Sequence, residues 1–349
     1  MIVNILDKIK SGNELNNDEL ENLLDKLSFQ EIKDEELNEL VILWHKKGFT
    51  INEIFTLSGL ININQKQSSK YRDSIDVCGT GGDKLNTFNI STLSAIVLSS
   101  MGINVIKHSG RSNTSISGST DIINSFGIDI DLPTETKEIY FQKNNLMFTS
   151  SSSLRNIFGK VKILSKELKL PSIVNLLGPL TNPYITDFHL LGVSKLEWGE
   201  LLAQVLLLNK FTKKILIVCS EIAETSFLDQ LSFSGKNHIW EVVPQDGISK
   251  TTFIPQDFNE EKIELNKITI KNKEEGSKAF ENVLKGDASS ISQIKTVALN
   301  AGAGLYLMDK ASSIKDGYNS TLKYIKSRHC WEHFKNFVTS IEGRYNAND

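Results

Sequence analysis

Proline and cysteine are scarce in this chain: its 349 residues include six prolines and three cysteines. Cys78, Cys219 and Cys330 are far apart and odd in number, which argues against a disulfide framework or a zinc site and points to a reducing, cytoplasmic compartment. No stretch reaches the roughly 18 consecutive apolar residues that a spanning helix needs. Met1–Lys10 reads as an amphipathic helix without the apolar centre of a signal peptide. No membrane partner is expected. Excess positive charge is also missing. A formal net charge of −3 excludes nucleic-acid binding driven by overall basicity, and basic clusters such as Lys210–Lys214 are short and broken by apolar residues. What remains is ordinary for a globular protein: 40% hydrophobic and 23% charged, with length enough for two domains.

Residues 1–68 read as a small all-helical domain. Asn16 with Glu19, and Thr50 with Glu53, form capping boxes ahead of apolar runs. Asn62–Arg72 is polar and unpatterned, a linker. From Ser74 the pattern alternates between short apolar strands (Ile75–Cys78, Ile103–Ile106, Leu146–Thr149, Ile215–Cys219, Ile239–Val243) and helical stretches (Thr120–Phe126, Thr134–Lys143, Val161–Leu168, Leu201–Leu208). This predicts a larger α/β domain, 73–349, with a central, mostly parallel sheet. The end is helical again, over Ala279–Leu284, Ile294–Leu307, Thr321–Lys326 and Trp331–Ile341. Asn266–Glu275 reads as a solvated loop or hairpin.

Asp76–Asp83 reads Asp-Val-Cys-Gly-Thr-Gly-Gly-Asp and leads through Asn86–Thr92 into an apolar helix, so Gly79, Gly81 and Gly82 lie where a strand hands over to a helix. Glycine permits close backbone approach, and a helix N-terminus offers unpaired N–H groups and partial positive charge; together they suit phosphate. The loop has neither the Gly-Lys-Ser/Thr end of a P-loop nor the dinucleotide glycine spacing. A second polar cluster, Lys107–Ser115 followed by Gly118–Asp121, comes after the next strand. Its Lys, Arg and hydroxyls would neutralise and fix phosphate oxygens at the neighbouring edge of one crevice. Asp76 and Asp121 read as turn or helix-cap residues. His108 reads as a positioning residue rather than a general base. His329 and His333 are four apart but lack a third ligand, so a surface helix is expected.

Gly79–Asp83, Thr87–Thr92, Lys107-His108 with Arg111, Gly118-Ser119 with Asp121, Asn175–Pro183, Leu190–Val193 and Leu299–Ala303 together resemble the anthranilate phosphoribosyltransferases, and the resemblance runs essentially end to end. It implies magnesium-dependent transfer of the phosphoribosyl group of 5-phosphoribosyl-1-pyrophosphate (PRPP) to anthranilate, in tryptophan biosynthesis. It also implies a homodimer through the helical domain, with part of 175–195 joining that domain. Carried over by position, PRPP falls to Gly79, Gly82, Asp83, Thr87, Asn89, Ile90, Ser91, Thr92, Lys107, His108, Ser109, Gly110, Arg111, Ser112, Asn113, Thr114, Ser115 and Ser119. Two magnesium ions per subunit would involve Ser91, Asp229 and Gln230. The acceptor would meet Gly79, Gly110 and Ser165. Four departures stand out. Gly110 takes the place of an Asn that touches the acceptor, and the serine run Ser150–Ser153 that of a His-Pro-Ala-Met stretch. Ser165 takes that of an arginine that meets the acceptor carboxylate, with Arg155 or Lys162 as substitute cations; Gln230, in place of a Glu, weakens one metal site. A phosphoribosyltransferase with another acceptor, a nucleoside phosphorylase (suggested by Ser109-Gly110-Arg111), and a non-catalytic PRPP- or polynucleotide-binding paralogue remain open as alternatives.

Overall fold

The computed structural model describes residues 2–63, 71–110, 118–244 and 246–345. Four helices come first: α1 (Ile2–Lys10), α2 (Asn17–Ser28), α3 (Asp34–Lys47) and α4 (Ile51–Ile61). Both expected capping boxes form, at Asn16 and Thr50. Glu53 of the second box does more than cap. Its fully buried carboxylate pairs with Lys47 Nζ at 2.9 Å and accepts from Trp44 Nε1 (3.0 Å) and the Leu15 amide (3.2 Å), tying α3, α4 and the α1–α2 connection together.

The α/β part then runs β1 (Ser74–Gly79), α5 (Ile90–Ser100), β2 (Asn104–His108), α6 (Ser119–Ser125), α7 (Thr134–Asn144), β3 (Leu146–Thr149), α8 (Ser152–Glu167), α9 (Ile173–Leu177), β4 (Phe188–Gly192), α10 (Leu196–Leu207) and β5 (Lys214–Ala223). β6 (Ser226–Leu228), β7 (Lys236–Val243) and β8 (Gly247–Phe253) follow, then α11 (Lys273–Leu284), α12 (Ile291–Leu307), α13 (Ile314–Lys326) and α14 (His329–Tyr345). The sheet order is β3-β2-β1-β4-β5-β7-β8, with β6 pairing β5. The strands from β3 to β5 are parallel, while β6, β7 and β8 pair antiparallel.

Alternation along the strands builds two large cores, with a small third cluster of Tyr71, Ile106, Phe141, Met147 and Tyr184. Ile75, Val77, Val105 and Leu190 face one core with α5 and α12. Leu191, Ile217 and Cys219 face the other, which the sheet shares with α1–α4, α8, α9 and α10. The parallel strands bring Gly79, His108 and Gly192 to one edge, with Gly79 the register partner of Gly192.

Three local readings are corrected. β4 and β8 were not anticipated as strands: β4 is a short buried run, and β8 has a mostly exposed Ser/Thr/Lys pattern. α8 begins at Ser152 rather than near Val161, because Ser151 Oγ accepts the Leu154 amide and turns the serine run into a helix start. The Asn266–Glu275 run is not all loop, since Asn272 caps α11 by accepting from the Glu275 amide at 2.8 Å.

Candidate active site

The glycine loop is held from beneath by two neighbouring segments, the end of β4 and α9. The Thr80 amide donates to Gly192 O (2.9 Å), Ser194 Oγ to Gly81 O (2.9 Å) and Asn175 Nδ2 to Thr80 O (3.3 Å). Gly81 and Gly82 have φ of +64° and +84°, and Lys84 and Asn86 are also left-handed, so the loop is a chain of tight reversals rather than a relaxed coil. Ser194 was not singled out from sequence, because β4, whose end positions it, was itself not anticipated as a strand.

Asp229, after β6, closes the loop from the side. Its Oδ2 accepts the Gly81 amide at 2.8 Å. A Cβ on Gly79 would lie 2.5 Å from Asp229 Oδ2, and one on Gly192 would lie 1.6 Å from the Asp229 carbonyl oxygen. These two glycines make room for Asp229. Gly82 is different: its exposed backbone has only ordinary neighbours, Asn175 and Ser194, which leaves it open to a ligand.

Asp83 and Asp229 lie against each other. Burial and the Asp229 charge raise the Asp83 carboxyl to about 7, and burial raises Asp229 as well. Two acids that share a proton in this way suit a hard divalent cation, whose charge replaces the proton. Gln230 hydrogen-bonds Asp229 and is buried with it. Magnesium therefore fits this pair on the chemistry of the donor set, with Asp83 a member that sequence reading had assigned only to PRPP.

Lys107 is the buried cation of the site. Only 1% of it is exposed, and its Nζ donates to Val77 O at 2.6 Å and Ser91 Oγ at 3.2 Å. Burial lowers its pKa, offset in part by Asp76 and Asp229. Asn89 precedes α5, and Ile90, Ser91 and Thr92 form its first turn, where N–H groups have no intrahelical acceptor. Thr92 Oγ1 and Ser109 Oγ are buried without a hydrogen-bond partner among the described residues, as expected of hydroxyls kept for a ligand. Thr87 bridges Thr269 and anchors the far end of the loop. Ser119 opens α6, where Asp121 accepts the Gly118 amide as the anticipated cap. Gly110 is exposed at the end of β2. Arg111, Ser112, Asn113, Thr114 and Ser115 lie outside the described residues.

His108 is no base. Its Nε2 accepts the Ser151 amide at 3.2 Å, which places the proton on Nδ1, and burial pushes its pKa down to about 4. Asp76 is no cap: it sits inside β1 with Oδ1 accepting the His108 amide (2.9 Å) and Oδ2 accepting Asn182 Nδ2 (2.9 Å). Ser165 Oγ donates to Leu170 O at 2.5 Å, so this hydroxyl closes the end of α8. Of the two substitute cations, Arg155 pairs with Asp131 at 3.2 Å, and Lys162 is half-buried with its pKa lowered by burial and by Arg155. His333 does not join His329; its Nε2 lies 3.0 Å from Ser99 Oγ.

Residues 71–329 match the glycosyl transferase family a/b domain. A curated anthranilate phosphoribosyltransferase from Petrotoga mobilis is 31% identical over 92% of both chains, and one from Halalkalibacterium halodurans 32% identical over 96% of both. This chain belongs to the anthranilate phosphoribosyltransferase family. The fold agrees: the Thermus thermophilus enzyme of that name superposes with a TM-score of 0.81 at 25% identity, covering 96% of this chain and 98% of that one. A Saccharomyces cerevisiae member in complex with PRPP and Mg superposes with a TM-score of 0.82 at 24% identity, covering 97% of this chain and 98% of the other.

Proposed function

We propose that the chain transfers the phosphoribosyl group of PRPP to anthranilate, giving N-(5-phosphoribosyl)anthranilate and diphosphate in tryptophan biosynthesis. The observation that carries this reading is the convergence at one sheet edge of the open Gly82 backbone, the first turn of α5, buried Lys107, and the hydroxyls of Thr92 and Ser109, in a chain of this family. Cleavage of the anomeric C–O bond leaves positive charge on the sugar and negative charge on the departing diphosphate. Lys107 and the α5 amides sit where they lower the energy of that negative charge without a covalent enzyme intermediate. The amine nitrogen of the acceptor bonds to the anomeric carbon as diphosphate leaves, and the nitrogen then releases its proton. His108 supports the geometry only, through its amide to Asp76 and its ring to Ser151.

Asp83, Asp229, Gln230 and Ser91 would hold magnesium, two ions per subunit in our reading. Bound there, the metal neutralises charge on the diphosphate. The acceptor would lie beyond Gly79 and Gly110. An acceptor other than anthranilate is the second reading, favoured by the Ser165 hydroxyl being spent on Leu170 O. We read residues 1–68, with part of 175–195, as the dimerisation domain. Support comes from Val3 and Phe29, which are 56% and 73% exposed on that domain. Among the described residues no helix is long and apolar enough to cross a membrane, and the three free, buried cysteines suit the cytoplasm. Growth of a tryptophan auxotroph lacking this step, restored by the chain only when anthranilate can be made, tests the reading in cells. Failure to restore growth with the protein expressed and folded contradicts it.

A further inference from the structure

Directly before the glycine loop, on the sheet face opposite Lys107, three side chains meet that the proposed reaction does not use. Asp76 and Cys78 are two apart on β1 and so share a face, and His189 on β4 is the register partner of Asp76. Their ligand atoms all lie within 4.8 Å of one another, and Cys78 Sγ is 3.1 Å from His189 Nε2. All three are buried, at 1%, 6% and 7% exposure for Asp76, Cys78 and His189. From this geometry we infer a closed site for a borderline-soft divalent cation of the zinc class, separate from the magnesium carboxylates.

The donor set is sulfur, imidazole nitrogen and carboxylate oxygen, the mixture that zinc and cobalt take and magnesium does not. Zinc bond lengths imply ligand-to-ligand edges of about 3.4–3.6 Å in a tetrahedron, so the Cys78–His189 edge of 3.1 Å opens by a few tenths of an ångström and side-chain rotation brings the carboxylate, within 4.8 Å of both, into range. Asp76 is already oriented. Its Oδ1 accepts from the His108 amide and its Oδ2 from Asn182, while the Cys78 thiol also bonds the carboxylate, and a metal that displaces the thiol proton takes that place. Asn182 is itself fixed, donating also to Ile106 O and accepting from the Tyr184 amide. This outer layer resembles the hydrogen-bonded support that tunes ligand geometry in metal sites. The Cys78 S–H faces the Pro179 carbonyl oxygen, 4.0 Å from Sγ. The charges balance as well: the Asp76 carboxylate and a Cys78 thiolate offset a divalent ion inside the protein. Loading exchanges the S–H bond for an S–metal bond and releases that proton to solvent, with no redox change.

The test uses the full-length chain, stripped with chelator, dialysed, and titrated with Co2+ in saturating Mg2+. The inference expects a near-ultraviolet thiolate-to-cobalt charge-transfer band that saturates at one equivalent per chain, with one proton released per metal. The band is expected to disappear in Cys78→Ser and in His189→Gln, to persist in Cys219→Ser and Cys330→Ser, and to need about 10–100-fold more metal in Asn182→Ala. Cooperative thermal unfolding establishes that each variant is folded; should Cys78→Ser fail that check, His189→Gln decides alone. Absence of the band in the wild-type chain, its survival in folded His189→Gln, its loss with Cys219 or Cys330, or its displacement by Mg2+ overturns the site. Because the readout is metal binding, failure here leaves the proposed transferase reaction standing, and failure of that reaction leaves this site standing.

Discussion

Asp83→Asn isolates the carboxylate–carboxylate tension between Asp83 and Asp229. Asp83 titrates near 7 in the folded chain against an ordinary 3.8, through burial and the neighbouring Asp229 charge. The folded state therefore keeps a proton that the unfolded state gives up between those values. Stability without metal falls as pH rises through that window and carries the full penalty above about pH 7. The gap between 3.8 and about 7 is worth up to about 4 kcal/mol at 1.36 kcal/mol per pH unit. Solvent reaching the half-buried loop screens part of it, leaving about 2 kcal/mol. The amide preserves the Oδ1 acceptor of the Leu85 amide, 3.0 Å away, and can donate to Asp229. At about 2.1 cal/mol/K per residue over 349 residues, 2 kcal/mol moves Tm by about 3 °C. In chelator at pH 8, Asp83→Asn should thus melt about 3 °C above wild type, and at pH 4 the two should coincide. Saturating Mg2+ should reverse the order, because wild type gains a dicarboxylate cation site that the variant lacks. The assay is thermal unfolding by circular dichroism in four buffers. A variant less stable than wild type in chelator at pH 8, or a Tm order unmoved by Mg2+, refutes the reasoning.

Lys107→Met keeps the buried stem but removes the charge beside Ser91; loss of a charge-assisted contact of about 1.5–3 kcal/mol should weaken PRPP binding by one to two decades in calorimetry. Unchanged donor affinity would remove Lys107 from the site. Gly192→Ala places a Cβ 1.6 Å from the Asp229 carbonyl oxygen, so the loop must shift at a cost of about 1–3 kcal/mol or more. Denaturant unfolding reads that cost, and wild-type stability with wild-type PRPP binding contradicts it. Glu53→Gln leaves Lys47, whose side chain is 5% exposed, without its counter-charge; breaking a buried pair costs about 3–5 kcal/mol. The result should be a lowered or split unfolding transition of the helical part, and a single transition at the wild-type midpoint argues against it.

Much of the fold was legible because its signals are local. The Asn16 and Thr50 boxes fix helix starts within four residues, and β1, β2, β3, β5 and β7 announce themselves as buried apolar runs. β4 was hidden because Phe188–Gly192 contains a histidine and a terminal glycine, and its burial comes from lying between β1 and β5. β8 was hidden because an edge strand with exposed Ser249, Lys250, Thr251 and Thr252 has no apolar alternation to read.

The site divides in the same way. Gly82 and Lys107 are recognisable from sequence because loop chemistry and charge are written in neighbouring residues. The roles of Gly79 and Gly192 depend on Asp229, which arrives from a strand far along the chain. Asp76 looked like a turn residue because nothing adjacent reveals that His108 and Asn182 converge on its carboxylate. His108, plausible as a base from its type alone, is neutralised by burial and by the Ser151 amide, a contact made only when β3 pairs with β2 and carries the start of α8 to its ring.

The central claim is tested most directly by mixing the purified chain with PRPP, anthranilate and saturating Mg2+ and following the loss of anthranilate fluorescence together with diphosphate release. Equimolar disappearance of anthranilate and appearance of diphosphate, both abolished by chelator, are expected. Diphosphate release without anthranilate consumption, or no turnover at millimolar acceptor by a folded chain that binds PRPP, contradicts it.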